Sequence, residues 1–115
     1  MEYIKVVVKK VDEKPQEQKI LNKLEEFQRI VDGRIDVMLF PNNVIMIIND
    51  EGKFTQEPNF ELARHTLESV HLVDVVFGDV IFVGDQGEDF TSLTDDQIHT
   101  VFNSFGLFNK RYNIV

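Results

Sequence analysis

The run Val44 to Ile48, VIMII, is apolar at every position and stands between two turn-rich stretches, Pro41-Asn42-Asn43 and Asn49-Asp50-Glu51-Gly52. Five residues between turns suit a strand better than a helix, and apolar side chains at both parities describe a strand buried on both faces. A chain containing it must cover a sheet from two sides.

The neighbouring stretches supply candidate partners. Tyr3 to Val11 alternates, with Ile4, Val6 and Val8 on one face and Lys5, Val7 and Lys9 on the other. Asp12 to Pro15 reads as a turn, and Gln16 to Leu21 as a short strand paired back on the first. Arg34 to Phe40 places Ile35, Val37 and Leu39 on one side and Asp36 and Met38 on the other. Leu72 to Phe77 and Val80 to Val83 are strand-like, joined by Gly78-Asp79 as a tight turn or bulge. Lys53 to Phe54 is expected to run back beside the central strand.

Two helices are expected to cover this sheet. Asn22 with Glu25 has capping-box spacing, and Leu24, Phe27, Ile30 and Val31 form an apolar stripe closed by Gly33. That predicts a helix over about 23–32. Thr94 with Gln97 repeats the capping-box spacing, with Leu93 and Ile98 placed as a hydrophobic staple. Ile98, Val101, Phe102 and Phe105 then make a buried stripe that ends at Gly106. A short third helix is expected from Phe60 to about His65, after Pro58 and a capping Asn59. The tail LFNKRYNIV, after Gly106, is apolar enough to pack or to add an edge strand. With 115 residues, 43% hydrophobic and 28% charged, this describes one α+β domain over residues 1–115. Its sheet is antiparallel or mixed, with two main helices and one short one.

The net charge of -8 is unevenly distributed. Residues 1–34 sum to +1, and residues 65–109 hold eight acids with no Lys or Arg. Such a field repels nucleic acid and suits a basic protein surface as partner, a cation, or simply solubility. No apolar run reaches the roughly 20 residues of a membrane span, and MEYIKVVVKK lacks the pattern of a signal peptide. Cysteine is absent, which excludes disulfides and thiolate chemistry. A cytoplasmic setting is expected.

Catalytic and metal signatures are missing. No pair among His65, His71 and His99 has the helical spacing of a metal site, and none sits beside a Ser or Cys in a nucleophile motif. The segment DQGED has neither the spacing of an EF-hand loop nor its closing Glu. Glycines 78, 84 and 87 form no phosphate loop. No cofactor, no metal and no enzymatic activity are expected. Asp85, Glu88, Asp89, Asp95 and Asp96 are the candidate partner-binding residues. Asp95 and Asp96 also suit the first turn of a helix, so the loop Asp85 to Phe90 is what capping and packing leave unaccounted for. Phe90 reads as an anchor pinning that loop.

IVDGRIDVMLF, the turn N-x-E-G-K from Asn49, Pro58-Asn59, DVVFGDVIFVG and EDFTSLTDDQ together carry a resemblance. Over about Lys23 to Phe105 the chain resembles small uncharacterised domains encoded by phages, plasmids and conjugative elements of Gram-positive bacteria. EDF-x-SLTD-x-Q, at Glu88 to Gln97, is the most specific piece. The resemblance implies a mobile-element setting and no known activity. The expected function is that of a small acidic inhibitor, for instance of a host defence nuclease, whose carboxylates stand in for phosphates. The alternatives are a protein that binds or sequesters a nucleotide-like ligand and an accessory regulatory domain.

Overall fold

The computed structural model describes residues 2–65, 70–87, 89–106 and 112–114. Its centre is a sheet ordered β2-β1-β7-β4-β3. The strands are β1 (Tyr3–Lys9), β2 (Gln16–Leu21), β3 (Ile35–Phe40), β4 (Val44–Asn49) and β7 (Val80–Gln86), and every pairing among them is antiparallel. VIMII lies in β4, flanked by β3 and β7 and buried from Val44 to Ile47.

Strand alternation divides the core into two layers. Ile4, Val6, Val8, Ile45, Ile47, Ile81 and Val83 face α1 (Leu24–Val31), which contributes Phe27 and Val31. Val7, Val44, Met46, Val80 and Phe82 face the opposite way. There they meet Ile98, Val101 and Phe105 of α3 (Asp95–Gly106), together with Phe60, Leu62 and Val76 from a second sheet. That sheet is ordered β6-β5-β9, with β5 (Pro58–His65) antiparallel to β6 (Val70–Phe77) and parallel to β9 (Tyr112–Ile114). The apolar tail therefore does add an edge strand. The mostly antiparallel α+β architecture stands, but it is richer in strand than expected, with α1 eight residues long and α3 twelve.

Several local expectations are corrected. The segment from Phe60 to His65 is strand, because buried Phe60 and Leu62 flank the half-buried Glu61 with a period of two. Asn59 caps no helix; it is the extra residue of a β-bulge between the pairs Pro58–Phe77 and Phe60–Val76. The third helix is instead α2 (Gly52–Thr55), where a strand had been expected. It starts in a turn in which Asn49 Oδ1 accepts from Glu51 N at 2.7 Å. Gly78-Asp79 closes no hairpin, since β6 and β7 lie in different sheets. It is a corner held by Gly78 N donating to Glu57 O and Val11 N donating to Asp79 Oδ1.

Both ends of α1 also differ. Its N-cap is Lys23, whose side chain has no acceptor and makes no cap bond, while the Asn22 amide donates to Glu2 Oε1 and Phe90 O. At the other end the left-handed residue is Asp32 at φ 62. The last carbonyls, of Val31 and Asp32, accept from Asn49 Nδ2 at 3.0 and 2.9 Å. Gly33 is required by that contact, since a Cβ there would lie 2.7 Å from Asn49 Nδ2.

Candidate functional site

The segment expected to be a loop between β7 and α3 is a β-hairpin. After Gly84, β7 continues to Gln86 and returns as β8 (Asp89–Thr91), pairing Gly84 with Thr91, Asp85 with Phe90 and Gln86 with Asp89. The turn uses Gly87 at φ 80, and Asp85 Oδ1 accepts from Gly87 N at 3.0 Å. β4 holds one edge of β7 up to Gly84, and β1 holds the other only as far as Phe82. β8 therefore takes the edge that β1 leaves. Beyond it the chain joins β1 again, with Lys5 N donating to Ser92 Oγ and Leu93 N to Lys5 O, both at 2.9 Å.

Phe90 anchors the hairpin as expected. Its ring meets Phe27 of α1 edge-to-face at 5.5 Å, and its carbonyl accepts from Asn22. Because cross-strand partners share a face, Asp85 lies on the α1 side of the hairpin and Asp89 on the opposite side. Both are exposed. Glu88 lies outside the described residues.

Asp95 and Asp96 open α3. The capping box forms: Gln97 N donates to Thr94 Oγ1 at 3.1 Å and Thr94 N to Gln97 Oε1 at 3.0 Å. Asp95 is 95% exposed and meets Lys5 Nζ at 3.8 Å, a loose surface pair. Asp96 is more tightly used, its Oδ2 accepting from Asn42 Nδ2 at 2.8 Å. Asn42 also donates to Thr100 Oγ1, while Gln97 Nε2 donates to Asn42 O at 3.0 Å. Asn42 and Asn43, at φ 64 and 58, make the turn of the β3–β4 hairpin and so dock it on the start of α3.

The described candidates therefore gather at one end of the central sheet, where β7 ends, β1 begins and the β3–β4 turn sits. They do not share one face. Asp89, Asp95 and Asp96 lie toward the α3 side and Asp85 toward α1. Asp96 belongs to a structural network, whereas Asp85 and Asp89 stand on the hairpin tip. His99 is exposed on α3; the side chains of His65 and His71, on β5 and β6, lie outside the described residues. Among the described residues no three His, Asp or Glu side chains converge as metal ligands, and no helix is long and apolar enough to cross a membrane.

Two features were not anticipated from the sequence. Lys9 is buried, its Nζ donating to Asn59 Oδ1 and Lys10 O, both at 2.8 Å. The only sign of it is parity, which puts Lys9 on the same face as Val7. The second is the row Val37 and Leu39 on β3, 47% and 81% exposed. Alternation identifies the face but not how far a helix covers it.

Two clefts among the described residues are acidic. One of about 380 Å³ is lined by Asp12, Glu57, Asn59 and Glu61. Another of about 550 Å³ is lined by Asp32, Arg34 and Glu51, and there Arg34 is held by Asp50 at 2.8 Å and lies 4.0 Å from Glu51.

No curated protein and no solved structure matches the chain. Residues 4–106 match the family described as "Domain of unknown function (DUF3846)", which spans both core layers and the acidic hairpin, and the chain belongs to that family.

Proposed function

We propose that this chain is a small acidic binding protein of a phage or other mobile element. In this reading it inhibits a host defence nuclease by offering carboxylates to a surface built for nucleic-acid phosphates. The observation that carries the reading is the β7–β8 hairpin, which holds Asp85 and Asp89 exposed at the end of the sheet where Asp95 is also exposed. Cross-strand pairing holds Asp85 and Asp89 at more nearly fixed separations than a solvated loop would. The net charge of -8 strengthens attraction to a basic surface at long range and disfavours direct contact with nucleic acid. The resemblance to mobile-element domains supports the setting, which is the cytoplasm of a bacterial host. No catalytic step and no cofactor belong to this function.

The acidic clefts count against the nucleotide-binding alternative. Asp12, Glu57 and Glu61 line the one, and the single Arg34 of the other is engaged by carboxylates; neither suits a phosphate.

The test is capture of proteins from a bacterial extract on the immobilised chain. A basic protein retained by the wild type, released by duplex DNA and lost from the Asp85→Lys, Asp89→Lys variant is the expected result. Retention that survives these changes and the equivalent ones at Asp95 and Asp96, or that duplex DNA does not displace, would sink the mimicry reading.

A further inference from the structure

β3 leaves one edge of the central sheet open: among the described residues it pairs with β4 alone. The parity of that edge is settled by two bonds. Asp50 N donates to Arg34 O at 2.8 Å, in step with the pairs Asp36–Ile48 and Met38–Met46, so even-numbered residues turn their main-chain groups toward β4. Ile35, Val37 and Leu39 turn theirs outward. In agreement, Val37 N donates at 2.8 Å to Asp36 Oδ1 and not to β4.

The side chains of the same three residues lie on the α1 face, opposite Asn49, Ile47 and Ile45. α1 covers Ile47 and most of Ile45 but stops short of the edge, which leaves Val37 and Leu39 exposed. An apolar row thus runs beside a row of outward N–H and C=O groups. Common devices that blunt such an edge are absent, for Ile35–Phe40 contains no Lys, no Pro and no register shift. The one device present is the Asp36 carboxylate, which occupies a single donor. Asp74 does the same for Val75 N on β6, at 2.7 Å.

Charge decides what such an edge accepts. Asp36 is exposed on the strand. At one end lie Asp50 and Glu51, sharing Arg34 between them. At the other, Asn42 holds Asp96. A second copy of the chain would bring the same carboxylates and another net -8 against this edge, so the complementary occupant is basic.

We infer that the outer edge of β3 docks an extended segment of a basic partner, which adds to the sheet as a further strand. Aliphatic side chains of that segment cover Val37 and Leu39, and its Lys or Arg side chains face Asp36. The Val37 amide then passes from the Asp36 carboxylate to a carbonyl of the incoming strand. This rests on the reading of the chain as an acidic binding protein and adds a second contact, separate from the hairpin tip.

The probe is an end-blocked peptide of alternating lysine and valine, with glutamate replacing lysine in the control, and the readout is amide hydrogen exchange of the whole chain. The lysine peptide is expected to slow exchange of the Val37 and Leu39 amides roughly tenfold or more at low salt, and less as salt rises. The effect is expected to be lost in Leu39→Lys and in Asp36→Lys, both at exposed positions. Equal protection by the glutamate peptide, protection only elsewhere, or protection unchanged in both variants would overturn the inference. So would concentration-dependent protection of the same amides without peptide, which would assign the edge to a second copy. A nuclease that needs Asp85 and Asp89 while the β3 amides keep exchanging at the unbound rate would remove this inference and leave the hairpin reading intact.

Discussion

Lys9 Nζ donates to Asn59 Oδ1 at 2.8 Å, and both side chains are buried, 1% and 7% exposed. Asn59 also donates to Lys9 O and Gly78 O, at 2.9 and 2.8 Å. One bulged residue of β5 therefore ties the end of β1 to the corner between the two sheets. The Phe105 ring, centred 5.9 Å from Lys9 Nζ, brings the last turn of α3 to the same place.

Replacing Asn59 by Ala removes an acceptor from a buried ammonium and a donor from two buried carbonyls. The expected loss is about 3 kcal/mol, read as a fall in melting temperature on the order of 10 °C. Lys9→Met keeps most of the volume and removes the charge, so it should cost less than Asn59→Ala. A larger loss for Lys9→Met would mean that the charge itself stabilises the fold.

Asn49 is predicted to act mainly through α1. Asn49→Ala leaves the Val31 and Asp32 carbonyls and the Glu51 N–H without their side-chain partner and should cost about 2 kcal/mol. Asn49→Asp should be worse, since it sets an acceptor carboxylate against the negative end of the helix. Denaturant midpoints of the two variants order them, and an equal or milder Asp variant would refute the capping role.

Two glycines of the acidic hairpin should respond differently. At Gly84 an added Cβ would lie 2.6 Å from Ser92 O and 2.9 Å from Thr91 Cγ2, so Gly84→Ala must push β8 away from β7. A loss of about 2–3 kcal/mol is expected, together with faster amide exchange in β8. At Gly87 nothing lies within 4 Å, and only φ 80 opposes a side chain. Gly87→Ala should cost about 1 kcal/mol and keep the hairpin paired.

Acid should weaken the pairing on α1. The hydrogen bond from Arg29, at 2.7 Å, holds the Glu26 carboxyl below its ordinary pKa. A lowered folded-state pKa contributes stability above the unfolded value, and that contribution is lost as pH falls through the folded value. Glu26→Gln should flatten this acid limb of the stability profile while changing stability at neutral pH little, because Arg29 is exposed and the pair screened. An unchanged profile in the variant would assign the acid dependence to other carboxylates.

Much of this architecture was legible in local pattern. The both-sided burial of VIMII, the β1 parity and the Thr94–Gln97 capping box depend on neighbours a few residues apart, and the pairing of Gln16 to Leu21 with β1 on a single intervening turn. What was missed depends on partners distant in the chain. Asn22 and Asn59 both carry capping chemistry, but their amides are drawn to Phe90 O and Gly78 O by tertiary placement. Gly78-Asp79 has hairpin composition, yet whether two strands share a sheet is decided by their other neighbours. The acidic loop became a hairpin because β1 vacates the edge of β7 beyond Phe82. Composition identified the acids, and only the pleat shows that Asp85 and Asp89 take opposite faces.

The acidic hairpin is tested most directly by the affinity of a basic protein retained on the wild-type chain, measured for the wild type and for the Asp85→Asn, Asp89→Asn variant across a salt series. The near-isosteric changes remove charge while keeping the shape of the tip. Wild-type binding is expected to be the tighter at low salt, to weaken as salt rises, and to converge on that of the variant at high salt. Equal affinities at every salt concentration would contradict the proposed role of the hairpin carboxylates.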